Sequence, residues 1–355
     1  MATDYASTLK KYINVLVHEG GSDLHLSVGS HPTIRVAGNL TPMLKEDVLT
    51  REDTLGFLKS LAVAENVEKF IIDKELDFAY QNAENLRFRG NAFYQRGSIS
   101  IALRLIPKEI RTVKELGLPD ILESFARKSQ GFFLVVGPVG QGKSTTLAAL
   151  VELINTERME HIVTIEDPIE HIFEPKQSLI DQREVHIDTK DFSTALVSAF
   201  REDVDVILVG EMRGPETMAA AVTAAETGHL VFSTLHTNNA AQTIDRIIDS
   251  FPAGQQDQIR IQLAASLAGI FSQRLIPRVS GGLIPAYELL INNKAVANLI
   301  REKRSHEINS VIETGSTDGM IDMNRSLAEL VARGEITTET AYQYSLNPNI
   351  LQKLL

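Results

Sequence analysis

The 355-residue chain contains no cysteine and no tryptophan. Without cysteine there is no disulfide, no thiolate-ligated zinc and no thiol nucleophile, which suits a reducing compartment. Aromatic residues amount to 6%, and no stretch interleaves them with basic residues in the manner of single-strand nucleic-acid platforms. Basic residues are outnumbered 35 to 46, a formal net charge of −11. The global field that draws proteins to nucleic acid or anionic lipid is therefore missing, leaving only local basic grooves. No run of 18 apolar residues occurs, so no transmembrane segment is expected. The start, Met1-Ala2-Thr3-Asp4-Tyr5, lacks the basic and apolar stretches of a signal peptide, and the expected location is the cytoplasm. Repeats of 20–50 residues and low-complexity segments are likewise absent.

What is present is enough apolar sequence, 43%, to bury more than one core, and a length that suggests two domains. Leu9, Ile13, Leu16 and Val17 recur at helical spacing and stop at Gly20-Gly21. Strand-like runs follow over 24–28 and 33–36, with a turn signal over 29–32. A second helix is expected from Arg51 to Phe70. Leu76–Tyr80, Leu86–Gln95 and Ser98–Ile106 read as an antiparallel meander, making the first 106 residues an α+β module. Pro107 to Pro119 is the linker candidate, short and bounded by prolines, able to act as a hinge. From Gly131 the texture changes. Residues 132–136, 162–165, 206–209 and 230–235 are apolar on both faces, as buried parallel strands are. Helical patterns over 144–156, 192–201 and 215–227 separate them, so this part is an α/β domain. Beyond about residue 255 the chain reads as mostly helical.

The strongest motif is Gly137-Pro138-Val139-Gly140-Gln141-Gly142-Lys143-Ser144, lying between a buried strand and a helix. Glycines let successive amides turn inward around phosphates, and the helix that follows presents its positive end. Lys143 reaches the β- and γ-phosphates, Ser144 ligates magnesium, and Thr145 and Thr146 are candidates for the α-phosphate. A second apolar strand, 205–209, runs into Gly210-Glu211. Glu211 either serves magnesium through water, polarises the attacking water, or does both. Between these motifs, Glu166-Asp167-Pro168-Ile169-Glu170 crowds three carboxylates at a strand end, where one could hold the water opposite Glu211; Pro168 keeps Asp167 extended. His229 and His236 flank the strand 230–235. They face opposite sides of a regular strand, which argues against one shared metal. His236 is a γ-phosphate sensor candidate; His229 is either structural or couples a helix to the strand. Arg87, Arg89, Arg96 and Arg104 cluster in the last two strands of the first module. They are either ordinary surface arginines or guanidinium donors for nucleotide phosphates.

These four boxes in this order resemble the secretion ATPases of type II and type IV secretion and of type IV pili, over nearly the whole chain. Gly21-Ser22-Asp23-Leu24-His25-Leu26 and Ile34-Arg35-Val36-Ala37-Gly38 are similar to that family's PAS-like N-terminal domain. The resemblance implies a PAS-like domain over 1–106, a linker over 107–118, a RecA-like P-loop ATPase core over 119–290 and a helical C-terminal region over 291–355. The lack of a cysteine zinc element, and Ala295-Val296-Ala297-Asn298-Leu299-Ile300-Arg301-Glu302, place the resemblance closest to the pilus-retraction branch. Ala297 stands where that branch carries arginine, Val204 where proline is usual, and Gly214 where aspartate is usual. The family resemblance further implies ATP/ADP and Mg2+, a homohexamer, Glu211, Glu170, Arg89 and Arg104 as required residues, and Glu166 and His229 as weaker members of their boxes. It also implies a partner in the pilus machinery, an inner-membrane platform protein, and hence a peripheral position at the pilus base, with no stable nucleic acid. An accessory retraction ATPase and another secretion motor are the nearest alternatives. A non-hydrolysing scaffold is opposed by the intact Lys143, Glu170, Glu211 and His236.

Overall fold

The computed structural model describes residues 4–36, 38–106 and 109–355. Ala37 of the PAS-like signature and Pro107-Lys108 of the expected linker lie outside the described residues. The chain divides into two compact units, Met1–Glu109 and Ile110–Leu355.

The first unit opens with α1 (Tyr5–His18), capped by the Asp4 carboxylate accepting from the Ser7 amide. Leu9, Tyr12, Ile13 and Leu16 are buried, whereas Val17, expected with them, is exposed. Then come β1 (Asp23–Ser27), β2 (Thr33–Val36), β3 (Asn39–Pro42), α2 (Arg51–Leu61), α3 (Ala64–Asp73), β4 (Glu75–Gln81), β5 (Arg87–Gln95) and β6 (Ser98–Ile106). The strands form one antiparallel sheet in the order β3-β2-β1-β6-β5-β4. A two-residue turn joins β5 to β6, with Arg96 and Gly97 both at positive φ, the turn whose twist suits adjoining strands.

The single helix expected over 51–70 is two helices. Thr50 and Asp53 form a reciprocal capping box that starts α2, and Ala62-Val63 is extended between the helices. Rotation of about 100° per residue explains the break. In one continuous helix Val67 would point about 120° away from Leu61, yet both are buried in the same core with Phe57 and Phe70. Burial of the two side chains outweighs continuation of the helix.

In the second unit the elements are α4 (Glu123–Ala126), β7 (Gly131–Val136), α5 (Lys143–Glu157), β8 (His161–Glu166), β9 (Leu179–Glu184), α6 (Phe192–Ala199), β10 (Val206–Val209), α7 (Pro215–Glu226), β11 (Leu230–Leu235), α8 (Ala240–Asp249), α9 (Ala253–Ser266), β12 (Leu267–Pro277), β13 (Leu283–Ile291) and the helices α10 (Lys294–Arg301), α11 (Ile308–Thr314), α12 (Met323–Ala332), α13 (Thr338–Tyr344) and α14 (Pro348–Leu354). The sheet order is β13-β12-β7-β11-β10-β8-β9, parallel except for the β12–β13 pair. This is a RecA-like core. All six residues of β7 are buried. Phe133 and Val135 face α5 (Leu147, Leu150, Ile154), while Phe132 and Leu134 face α7, α8 and α9. Helices on both faces explain why these strands lack polar alternation.

Three strands of this unit depart from the sequence expectations. The stretch after residue 255 is not simply helical: β12 and β13 form a long hairpin, turned by Gly281-Gly282 at positive φ. Its outer residues Ile276 and Ala286 make a separate core with Leu327, Leu330 and Leu351. Strand β9 was not expected either. It is an edge strand whose Leu179 is exposed, so its pattern carries little apolar signal. Residues 110–118 are anchored on the second unit, with Val113 and Leu118 buried beside Leu122 and Phe125.

Candidate active site

Parallel pairing aligns the ends of four neighbouring strands. Val136 pairs with Leu235, Ser233 with Val209, and Val209 with Ile165. Gly137, His236, Gly210-Glu211 and Glu166 therefore emerge side by side at the carboxyl edge of β7, β11, β10 and β8. In open α/β sheets this edge is where ligands bind.

The loop leaving β7 turns on Gly137, Gly140 and Gly142, all at positive φ. Gly137 is constrained twice: its φ is +146°, and a Cβ there would lie 2.5 Å from the Gln273 carbonyl. Gly142 is the N-cap of α5 and has no side chain to accept from the first-turn amides. Those amides, together with the loop, form a cradle of unclaimed donors that suits phosphate. The Lys143 ammonium, buried at 7% exposure, donates to the carbonyls of Gly137 and Pro138 at 2.9 Å each. Burial lowers its pKa, and the Glu170 and Glu211 carboxylates act in the opposite direction. Both acids thus belong to the electrostatic neighbourhood of Lys143.

Lys143 Nζ also lies 3.3 Å from His236 Nδ1. Opposite an ammonium, Nδ1 is the accepting nitrogen, which puts the ring proton on Nε2. Nε2 lies 3.6 Å from the Glu211 carboxylate, and Glu211 is paired in turn with Arg213. A polar chain, Lys143–His236–Glu211–Arg213, crosses the ends of β7, β11 and β10. Hydroxyls fix the strand end that bears Glu211: Ser233 donates to the Val209 carbonyl at 2.8 Å and Thr234 to that of Gly210 at 2.6 Å.

Glu166 is buried. Burial pushes its carboxyl up to about 7, against hydrogen bonds from the Thr164 hydroxyl, the Glu170 amide and the Gln182 side chain. The Thr164 bond is 2.7 Å. Glu170 itself is exposed, with its amide 3.4 Å from Glu166 Oε2.

Two expected side chains face elsewhere. His229 sits at the opposite end of β11, about 20 Å from His236 at strand rise. There it bonds the Ala224 carbonyl at the end of α7 (3.0 Å) and packs edge-on against Phe200. The structure therefore couples it to helices and does not bring it to the loop 137–144. Thr146 is 1% exposed and gives its hydroxyl to Gln273 Oε1 at 2.6 Å, which turns it away from the cradle. Val139 projects outward at 80% exposure. Ser144 and Thr145, in the first turn of α5, are half-buried beside Lys143. Gln273, from the unpredicted hairpin, underlies the loop; nothing local to its sequence marks it.

In the first unit, Arg89 and Arg104 are directly paired across β5 and β6 and so share a face. Asp23 is paired with Arg104 on one side and Arg35 on the other. Arg104 Nε donates to Asp23 Oδ1 at 2.9 Å, and the arginine side chain is 69% exposed. Arg87 shares that face by strand alternation, and Arg96 is in the β5–β6 turn. Among the described residues no three histidine or acidic side chains group into a metal cage.

Comparison with known proteins places this architecture. The chain belongs to the type II/IV secretion system protein family, matched over residues 4–344. With the phosphate loop in its strand–helix setting, it is a P-loop ATPase of that family. It is 44% identical over 335 residues to a type IV pilus retraction ATPase, PilT, of Pseudomonas aeruginosa, covering 93% of this chain and 96% of that one. It is 45% identical over 318 residues to a twitching motility protein of Neisseria gonorrhoeae, covering 89% and 84%. A crystal structure of the pilus retraction motor PilT with bound ADP superposes with a TM-score of 0.91 at 44% identity, over 97% and 98% of the two chains.

Proposed function

We propose that the protein is the ATP-hydrolysing motor of type IV pilus retraction, working as a homohexamer that draws pilin back into the membrane. The observation that carries this reading is the alignment of Lys143, His236 and Glu211 at the carboxyl edge of a fold that matches an ADP-bound retraction motor along its length. The amides of 139–142 and the first turn of α5 hold the phosphates, and Lys143 moves from the loop carbonyls to the phosphate oxygens. Magnesium, when bound, would neutralise charge at the phosphates; Ser144 would hold it directly and Glu211 through water. Glu211 and Glu170 orient the attacking water, and His236 reports the terminal phosphate to Glu211. Arg89 and Arg104 supply guanidinium groups to the developing charge, and the linker over 107–118 lets the first unit rotate against the second as nucleotide changes. The partner is an inner-membrane platform protein of the pilus machinery, which sets a cytoplasmic, peripheral position at the pilus base. No helix among the described residues is long and apolar enough to cross a membrane.

Ala297 supports a second reading, an accessory retraction ATPase. It sits on α10 at 7% exposure, between Lys294 and Arg301, and places no charge where the retraction branch carries arginine. Deletion of the gene separates the readings. Hyperpiliated, non-twitching cells are expected for the retraction motor; bald cells refute retraction, and wild-type twitching with impaired force favours the accessory role. Biochemically, Glu211→Gln should bind ATP as wild type does while turnover falls about 10²-fold; wild-type turnover removes Glu211 from the chemistry.

A further inference from the structure

Strand β12 passes between the two loops that carry Lys143 and His236, and three consecutive residues of it hold both. On the α5 face, Gln273 is 3% exposed. Its Oε1 accepts from the Thr146 hydroxyl at 2.6 Å, and its Nε2 donates to the Gln141 carbonyl at 2.8 Å. Gln141 answers with its own side chain, Oε1 accepting from the Leu275 amide at 2.7 Å. On the opposite face, Ser272 and Arg274 reach the segment just beyond His236. The Ser272 hydroxyl donates to the Asn238 carbonyl at 2.8 Å, and an Arg274 guanidinium N–H donates to Asn238 Oδ1 at 2.9 Å. The neighbouring strand adds Glu288, directly opposite Ser272, whose carboxylate accepts from the Ala240 amide at 2.8 Å. Alternation along a strand sends odd and even residues to opposite faces, so a single rigid element grips the phosphate loop from one side and the histidine loop from the other.

We propose that Gln273 and Arg274 are positioning residues for phosphoryl transfer, fixing Lys143 and His236 at a set separation by tying their loops to adjacent residues of β12. This inference rests on assigning the nucleotide to the loop 137–144. It gives the two residues distinct consequences. Gln273 shapes the cradle that holds the α- and β-phosphates, so its loss weakens binding of any nucleotide. The Arg274–Asn238 bond sets only the histidine loop, so its loss slows turnover and leaves a diphosphate bound as before. Misplacement of a positioned group by a fraction of an ångström is enough to lower the rate.

The test uses the full-length protein and ADP as the binding probe. At pH 8.5, where the new carboxyl is ionised, Gln273→Glu keeps the shape but cannot donate to the Gln141 carbonyl, and should raise the Kd for ADP about tenfold. Asn238→Ala should leave the Kd for ADP within twofold and lower kcat five- to twentyfold. Arg274→Gln combined with Asn238→Ala should lower kcat no further than either change alone. An ADP affinity within twofold of wild type for Gln273→Glu overturns the assignment of Gln273. Equal losses of affinity and kcat in both single variants, together with a lowered melting temperature, reduce both residues to structural roles and overturn the proposal. Thr146→Val supplies a second probe of the Gln273 grip should Gln273→Glu not fold, and unchanged ADP affinity there is equally fatal. Lys143→Ala measured alongside keeps the two levels apart: if it binds ADP normally, the nucleotide is not in this loop and the proposal falls with the reading beneath it.

Discussion

Replacing Glu166 by glutamine tests whether a buried acid beneath the active site is neutral near physiological pH. In the folded protein burial pushes the carboxyl from 4.5 to about 7, only partly offset by the hydrogen bonds it accepts. A raised carboxyl pKa means that the folded state holds the proton more tightly than the unfolded chain. The stability linked to this proton is fully present below pH 4.5, declines as pH rises, and is gone above pH 7. The upward shift corresponds to roughly 3 kcal/mol in total, with a steepest slope of about 1.4 kcal/mol per pH unit. Glutamine has nearly the same shape and keeps an acceptor for the Thr164 hydroxyl, but has no proton to lose. Chemical denaturation of wild type and Glu166→Gln at pH 5, 6, 7 and 8 isolates the effect of Glu166 and its coupling to Glu170, because groups that do not interact with Glu166 cancel in the difference. The variant should be close to wild type in stability at pH 5 and more stable by roughly 2–3 kcal/mol at pH 8. Parallel curves would refute the argument, since Glu166 would then ionise in the fold as it does in the open chain. The same variant speaks to mechanism. An amide cannot replace a carboxylate that takes a proton from the attacking water, but its oxygen still accepts from the Thr164 hydroxyl and so keeps a group that supports the strand end, losing only the long 3.4 Å bond from the Glu170 amide. The buried position supports the second role, and turnover should fall by less than about tenfold.

Further outcomes follow from the same geometry. Gly137→Ala would drive a methyl to 2.5 Å from the Gln273 carbonyl at a φ of +146°, so the second unit should lose about 2–4 kcal/mol or the loop should distort and lose nucleotide; calorimetry with and without ADP reads both. Arg104→Ala should lower turnover by about 10³-fold if its guanidinium meets the developing phosphate charge, while the first unit loses about 1–3 kcal/mol, because buried Asp23 is left with one hydrogen-bond donor fewer. Unchanged turnover would take that arginine out of the active site.

Much of the site is local and could be read along the chain. The loop 137–144 needs glycines at particular backbone angles followed by a helix start, and those demands are met within eight consecutive residues. Strands β7, β8, β10 and β11 are buried on both faces, so they appear as unbroken apolar runs. Register then follows from parallel pairing, and it delivers Lys143, His236 and Glu211 to one edge. Elements that depend on partners far along the chain were not legible. The break between α2 and α3 is set by where Val67 must point, not by any helix-breaking residue, and β9 is an edge strand with few apolar residues to betray it. The β12–β13 hairpin reads as helix until its pairing with β7 is known. The same holds for individual side chains. Nothing in the neighbours of Gln273 distinguishes it, and only folding places it under the phosphate loop. His229 and Thr146 lie in the expected boxes, yet packing turns one toward α7 and Phe200 and the other toward Gln273. Residue type and short spacing decide which backbone shapes can form, because those depend on bonds between near neighbours. Which side chains meet across the sheet is decided by tertiary pairing, because a strand's neighbours are chosen by burial of whole faces and not by its own sequence.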